Sequence, residues 1–515
     1  DKAMEYTLKR AEYTDSTILF DGCQEQPLDL DISLPDYCPD IQRILKCQVM
    51  PCISGHSLNG DRLETEGTVR VRVLYLDSRE DTVRCCETES GFSSVITLRE
   101  PSTCGAARVT ARVEYVNCRA TSPRRLDIHG AFSVCALVVE PNSQQICTCA
   151  AEEELEQKRE SRPASTLAGL GEQQFTISEM LEINPGKPPV EAILRSRACC
   201  ILQDFRPVSG KLLAKGMVRL EVLYSSALED GALETMDFEI PFSQMMDCGG
   251  AEEDCRCSLH METVDHALQI RSDTSGEAMR LEADIRVSAF ACAYRDEEVT
   301  FITDAYSTRY ETDLDYSQLQ VSCLDELIQE SLIQKISVDA GAPVARVLDV
   351  WNEILTVSGE LQEGQLHFAG KINLCILAAD SEGVPFYVEK MADFSLNRPW
   401  NGNDGCRVSC WAQVEGLGYR ITGNSAMEIT AEISVWGTAS HTAAIKAVSG
   451  IHGDENRCKN EGQGILCLYY ACENESLWDI ARSHGVSLHS LCEENGLTDP
   501  EAGLTEGQML LLTAQ

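Results

Sequence analysis

At 515 residues the chain is longer than one hydrophobic core supports, and its length divides naturally into three or four domains. Lysine and arginine total 43 against 82 aspartates and glutamates, a formal net charge of −39, which repels phosphate backbones and anionic lipid headgroups and suits a partner that presents basic residues. A hydrophobic fraction of 43% with 24% charged residues is ordinary for globular protein and excludes disorder as the default.

Asp1 to Arg10 has no apolar stretch of the signal-peptide kind, and no apolar run approaches the ~20 residues that span a bilayer, so a cytoplasmic protein is expected. A first β-rich module is assigned to 1–150. It contains Pro39-Asp40-Ile41-Gln42-Arg43-Ile44-Leu45 and then Gly67-Thr68-Val69-Arg70-Val71-Arg72-Val73-Leu74-Tyr75. A polar linker with room for a short exposed helix is expected at 151–173, where Glu152-Glu153-Glu154 and Arg162-Pro163-Ala164-Ser165 fall. The acidic triplet is read as a solvated face.

The second module, 174–310, repeats the pattern with Pro189 to Leu194 and Gly216-Met217-Val218-Arg219-Leu220-Glu221-Val222-Leu223-Tyr224. The third, 321–440, has Pro343 to Leu348 and Gly370-Lys371-Ile372-Asn373-Leu374-Cys375-Ile376-Leu377. The Leu-to-Gly separations are 67 − 45, 216 − 194 and 370 − 348, each 22. Each glycine-led block alternates apolar and polar residues with period two, the mark of a half-buried antiparallel strand. A second alternating strand follows at Leu126–His129, Leu281–Val287 and Ile429–Val435, which lie 59, 65 and 59 residues after the glycines (126 − 67, 281 − 216, 429 − 370). The second copy is expected to carry its extra loop near Ser225–Gly231 or Asp247–Asp254. The segment after each proline reads as a single helical turn entering the sheet. Three tandem β-sandwich-like modules are therefore expected, followed by a linker at 441–464.

From 465 to 515 the pattern changes to βααβ. Ile465 to Ala471 reads as a strand, and Leu477, Ile480 and Ala481 line one face of a helix that stops at Gly485. Ser487 caps a second helix through Leu491 and Cys492 that ends at Asn495-Gly496, and Gly507 to Leu512 forms a return strand. This segment holds eight acids and one base, Arg482.

The 25 cysteines are odd in number and scattered, with no Cys-x-x-Cys pair; the close pairs are Cys85-Cys86, Cys199-Cys200, Cys147-x-Cys149 and Cys255-x-Cys257. This fits neither a disulfide scaffold nor a zinc site, and most thiols are expected to be small buried hydrophobes, a minority cross-linking in an oxidised assembly.

The C-terminal segment resembles a LysM domain through Tyr469, Ser476 to Ala481, His484-Gly485-Val486-Ser487, Asn495-Gly496-Leu497 and Gly507-Gln508. The resemblance implies a shallow groove for N-acetylglucosamine-containing glycans between two loops, formed by Asn474, Glu475, Ser476 and Leu477 on one side and Gly503, Leu504, Thr505 and Glu506 on the other. Asn474-Glu475 stands where the family has Gly-Asp, and Glu506 where it has Pro. So acidic a groove favours a protein ligand over carboxylate-rich peptidoglycan. Leu34-Pro35-Asp36-Tyr37-Cys38-Pro39-Asp40 together with the three repeats resembles the SPOCS-domain family of spore-forming bacteria, in the group that ends in a LysM-like domain. The resemblance implies a mother-cell protein recruited to the forespore surface, where it binds a coat-basement ATPase (SpoIVA-like) and other coat proteins and promotes coat encasement. The alternative is a peptidoglycan-binding protein of the cell wall or cortex, its ligand peptidoglycan or a precursor.

No catalytic motif is present: Gly-x-x-x-x-Gly-Lys-Ser/Thr, Gly-x-Ser-x-Gly and His-Glu-x-x-His are all missing. Cys38 lies between acids and prolines, which suits a turn better than a nucleophile, and Asp36 and Asp40 are read as caps of that turn. The modules repeat their apolar frame and not their polar residues, so no enzyme, cofactor or metal is expected.

Overall fold

The computed structural model describes residues 3–228, 231–459, 466–473, 475–501 and 503–513. Strand β1 is Ala3–Glu5. The first module follows as β2 Leu8–Ser33, β3 Ile41–Asp77, β4 Val83–Ser102, β5 Ala106–Ser122 and β6 Arg125–Ala150. The second is β7 Leu155–Glu182, β8 Val190–Val208, β9 Lys211–Ser226, β10 Leu233–Asp247, β11 Arg256–Arg271 and β12 Arg280–Ser307. The third is β13 Tyr310–Asp339, β14 Arg346–Trp351, β15 Leu355–Gln362, β16 Gln365–Ala379, β17 Pro385–Pro399, β18 Arg407–Ile421 and β19 Ala426–Cys458.

Each module is the same sandwich. One sheet places the module's last strand between its first and its penultimate one, as β2-β6-β5, β7-β12-β11 and β13-β19-β18. The other is a meander, β3-β4, β8-β9-β10 or β14 and β15 with β16 and β17. The chain is mainly β. Val69, Val71 and Val73, then Val218, Leu220 and Val222, then Ile372, Leu374 and Ile376 all point into their own sandwich cores and are buried.

The repeated glycines have one shared cause. A Cβ on Gly67, Gly216 or Gly370 would come within 2.3, 2.3 or 2.1 Å of the carbonyl oxygen of Cys52, Ile201 or Thr356. The aromatic ring of the cross-strand partner, Phe92, Phe242 or Phe394, covers the space that remains. The tyrosines ending the blocks are structural as well. Tyr75 and Tyr224 are buried and donate to the carbonyls of Pro39 (3.1 Å) and Pro188 (3.0 Å), whereas Ala378 stands at the third position.

Several expectations are corrected. The stretch 151–173 is not a linker with a helix: from Leu155 it belongs to β7, paired residue by residue with β12. Pro163 is tolerated there because β7 is an edge strand of its sheet. Nor is the acidic triplet simply a solvated face, since Glu152 accepts from the Thr7 amide (3.0 Å) and Glu154 from the Tyr6 hydroxyl (3.1 Å). The stretch 441–464 is strand β19 as far as Cys458, and 460–464 lies outside the described residues. The segments after the prolines open strands at Ile41, Val190 and Arg346 instead of forming a helical turn. The extra residues of the second module fall mainly between β11 and β12, where the connection is 272–279 against 123–124 and 422–425 in the other two. Leu34 to Asp40 is a turn gripped by Arg124, which bonds the Pro35 carbonyl (2.9 Å), the Cys38 carbonyl (3.0 Å) and Asp40 (2.7 Å). Cys23 and Cys135, neighbours across β2 and β6, form a disulfide, and many of the other thiols are buried as expected.

The modules close into a ring. Corresponding leucines, spaced 194 − 45 and 223 − 74 (each 149) and then 377 − 223 (154), meet in one cluster: Leu45 and Leu74, Leu194 and Leu223, and Leu377 with Trp351. Beside it, positions 46, 195 and 349 correspond by the same intervals and carry Lys46, Arg195 and Asp349. Arg195 is 1% exposed, makes a bidentate pair with Asp349 (Nη2 to Oδ1, 3.0 Å) and lies over the Trp351 ring at 4.9 Å. Lys46 bridges Glu353 and Glu389 of the third module, each at 3.0 Å. At the other end Tyr13, Ile146, Ala164, Phe301, Val321 and Ile445 of all three modules share a second core. There β1 pairs with β19, tying the start of the chain to the third module.

Gly216→Ala is expected to cost about 1–3 kcal/mol by overpacking, read as a lower denaturation midpoint, while Gly91→Ala, at an open position, stays near wild type. Arg195→Ala is expected to cost about 3–5 kcal/mol by stranding Asp349, and the double variant Arg195→Met/Asp349→Leu to recover most of it; chemical denaturation of the three proteins checks this.

Candidate functional site

The C-terminal unit is β20 Leu466–Tyr470, α1 Leu477–His484, α2 Leu488–Glu494 and β21 Met509–Thr513, with β20 and β21 antiparallel. Ser476 caps α1: its hydroxyl accepts from the Asp479 amide (3.1 Å) and donates to the Asp479 carboxylate (2.6 Å). Gly485 ends the helix in the left-handed conformation at φ 63°. Ser487 holds the N-cap position of α2 without a side-chain hydrogen bond. Asn495 sews α2 to β21 by donating to the Leu491 and Leu511 carbonyls and accepting from the Leu511 amide.

Beside the two loops expected to form a groove, the Gly507 amide bonds the Ala471 carbonyl (2.8 Å) and the Ala471 amide bonds the Gln508 carbonyl (2.9 Å). Asn474 lies outside the described residues. Glu475 accepts from the Tyr469 hydroxyl (2.7 Å) and the Cys472 amide (2.9 Å). The Cys472 amide first and the Tyr469 hydroxyl second hold the Glu475 carboxyl below its usual range, and in return the Tyr469 hydroxyl is pushed up to about 12. Glu475 is therefore an ionised loop brace. Ser476 is committed to capping. Leu477 is 1% exposed and belongs to the domain's core, so it cannot line a groove. Gly503, Thr505 and Glu506 are exposed; Thr505 is tied back by its amide to Gln508 (3.1 Å), and Leu504 packs against the core.

Sequence reasoning missed two surfaces. The outer side of the β20–β21 sheet carries Leu466, Leu468, Tyr470 and Met509, which are 63, 54, 61 and 57% exposed, with Leu511 opposite Leu468. Its signal was available: in a two-stranded sheet, residues 466, 468 and 470 share one face and 469 takes the other. The second surface is the seat of the domain on β12. Tyr306 is fully buried in the domain's core, donates to the Val486 carbonyl (2.9 Å) and meets the Trp478 ring edge-on at 5.0 Å. Asp304 accepts from the Trp478 indole (2.8 Å) and pairs with Arg482 (2.7 Å). No local pattern announces a contact between residues so far apart in the chain.

Two family models match parts of the chain. The SipL SPOCS domain model matches residues 40–121 and 189–270, and the LysM domain model matches residues 473–513. No curated protein and no solved structure matches. The two SPOCS matches run from the turn before β3 or β8 to the end of β5 or β11, equivalent stretches of two modules, and β14 to β18 have the same arrangement in the third. Both domain types are non-catalytic binding domains. Among the described residues no helix is long and apolar enough to cross a membrane, and no group of histidine, cysteine and acidic side chains is arranged to hold a metal.

Asp304→Ala is expected to loosen the seat, raising amide hydrogen exchange in 477–486 about tenfold while exchange in the three sandwiches is unchanged. The chain thus carries two stretches that match the SipL SPOCS domain and a C-terminal stretch that matches the LysM domain.

Proposed function

We propose that the chain is a non-catalytic scaffold of the spore coat, in which a ring of three sandwiches forms a stiff body and the C-terminal domain captures the coat-basement ATPase at the forespore surface. The observation that carries this reading is the exposed apolar face of Leu466, Leu468, Tyr470 and Met509 in a segment with eight acids and one base. A saccharide needs hydrogen-bonding groups in a groove, and Ser476 and Thr505 spend theirs within the protein. An apolar strip with an acidic surround suits a protein segment with apolar anchors flanked by lysine or arginine. A peptidoglycan-binding role remains the second reading, favoured by the LysM match and by the adjoining 472–476 and 503–507 loops.

The test uses the full chain with Leu468→Glu and, separately, Glu506→Lys. Leu468→Glu is expected to weaken binding of the purified basement ATPase at least tenfold, with sedimentation on purified peptidoglycan unchanged or absent in both proteins. ATPase binding unaffected by Leu468→Glu, together with peptidoglycan sedimentation strengthened by Glu506→Lys, would reverse the order of the two readings.

A further inference from the structure

The three sandwiches leave a space between them. A cavity of about 100 Å³ lies where β5, β11 and β18 converge, lined among others by Arg108, Ser258 and Ser409, one from each module, with His260 and Trp411. It is far larger than the ~10–15 Å³ that admits one water. The Arg108 guanidinium stacks over Trp411 at 5.3 Å and, among the described residues, makes no hydrogen bond or ion pair. Among the described residues, the side-chain hydroxyls of Ser258, Ser409, Thr438 and Ser440, which line the same cavity, have no protein partner either.

The chemistry of this lining is one-sided. Arginine is permanently charged and only donates, so a half-buried guanidinium without a protein acceptor is free to bond water or a bound anion. Arg407, the other cation on the wall, is already paired with Asp21 at 2.6 Å. Among the described residues no carboxylate lines the cavity. Two acids act on Arg108 from outside the lining: Glu262 stands behind His260 (3.8 Å) with its carboxyl pushed by burial up to about 7, so around neutrality it is only a partial counter-charge, and Asp21 is engaged by Arg407. Entry is available through an adjoining space of about 730 Å³ that shares Ser16, Tyr294, Arg407 and Ser440.

We propose that the junction of the three modules binds a small tetrahedral oxyanion of phosphate size, with Arg108 as its charged anchor and the hydroxyls of Ser258 and Ser409 as further donors. Because each module contributes a donor, the anion acts as a clasp across the ring.

The experiment follows thermal unfolding of the full-length protein and calorimetric titration with inorganic phosphate at about pH 7, against chloride at matched ionic strength. Phosphate stabilises many proteins by exclusion from their surface, so the readout is the difference between wild type and Arg108→Gln. Wild type should show a saturable one-site isotherm and an additional rise in Tm of roughly 2 °C, both lost in Arg108→Gln. Ser258→Ala/Ser409→Ala, which keeps every charge, should fold normally and bind phosphate about tenfold more weakly; it carries the test if Arg108→Gln does not fold. An equal phosphate effect in wild type and the serine variant, or no saturable heat with wild type, overturns the proposal. Acetate binding as tightly as phosphate overturns the tetrahedral class.

Discussion

The closed ring depends on what happens where the three sandwiches touch. Leu45, Leu194 and their partners supply an apolar contact that is nearly the same from every module, and such a contact alone would let modules pair in any order or with those of another chain. The polar residues beside it differ. At one corresponding position the first module has Lys46, the second Arg195 and the third Asp349. Arg195 has Glu221 of its own module at 3.6 Å but makes its close bidentate pair with Asp349 of the third, and Lys46 pairs with Glu353 and Glu389 of the third. A buried ion pair adds little net stability over an apolar substitute, but an unmatched one is severely penalised, so these pairs fix which faces meet. Duplication supplied the frame, and divergence at its polar positions supplied the order.

What could be read from the sequence follows from which residues obey a single environment. The glycine-led blocks face one sandwich core along their whole length, so their alternation is clean and their spacing survives in all three copies. The first strands, β2, β7 and β13, serve two masters. One half faces its own sandwich, and the other packs against neighbouring modules through Tyr13, Ala164 and Leu319. Bulges at Ile18/Phe20, Ala293/Tyr294 and Leu324/Glu326 shift the phase of these sheets between the two halves. Period two is lost there, and the segments resemble linkers. The C-terminal unit was legible as βααβ because its caps and apolar spacing are local. Leu477 was misassigned because a motif position says which residue recurs, not which way its side chain turns.

Cys199 and Cys200 illustrate the same division on a single strand. Cys200 is buried in its own sandwich, while Cys199 faces the third module, within reach of the Val414 carbonyl and the Gln413 amide. Both are small and apolar enough for their sites, and burial pushes the Cys200 thiol above its usual range. Such cysteines are packing residues, and their abundance in this chain needs no redox chemistry. Exposed Cys104, Cys458, Cys467 and Cys472 are the ones an oxidising assembly could reach.

The pairing of Leu8 with Ala150, of Leu155 with Ser307 and of Tyr310 with Cys458 puts every passage from one module to the next at the same pole of the ring. The C-terminal domain sits at that pole as well, on Tyr306. The opposite pole carries reversals within a module, among them 123–124, 272–279 and 422–425, beside the leucine cluster that joins all three modules. The molecule is therefore polar in the mechanical sense. Tension applied through the described termini and the terminal domain enters at one rim, while the reversals of the far rim can lengthen, as at 272–279, without altering how the modules are strung together.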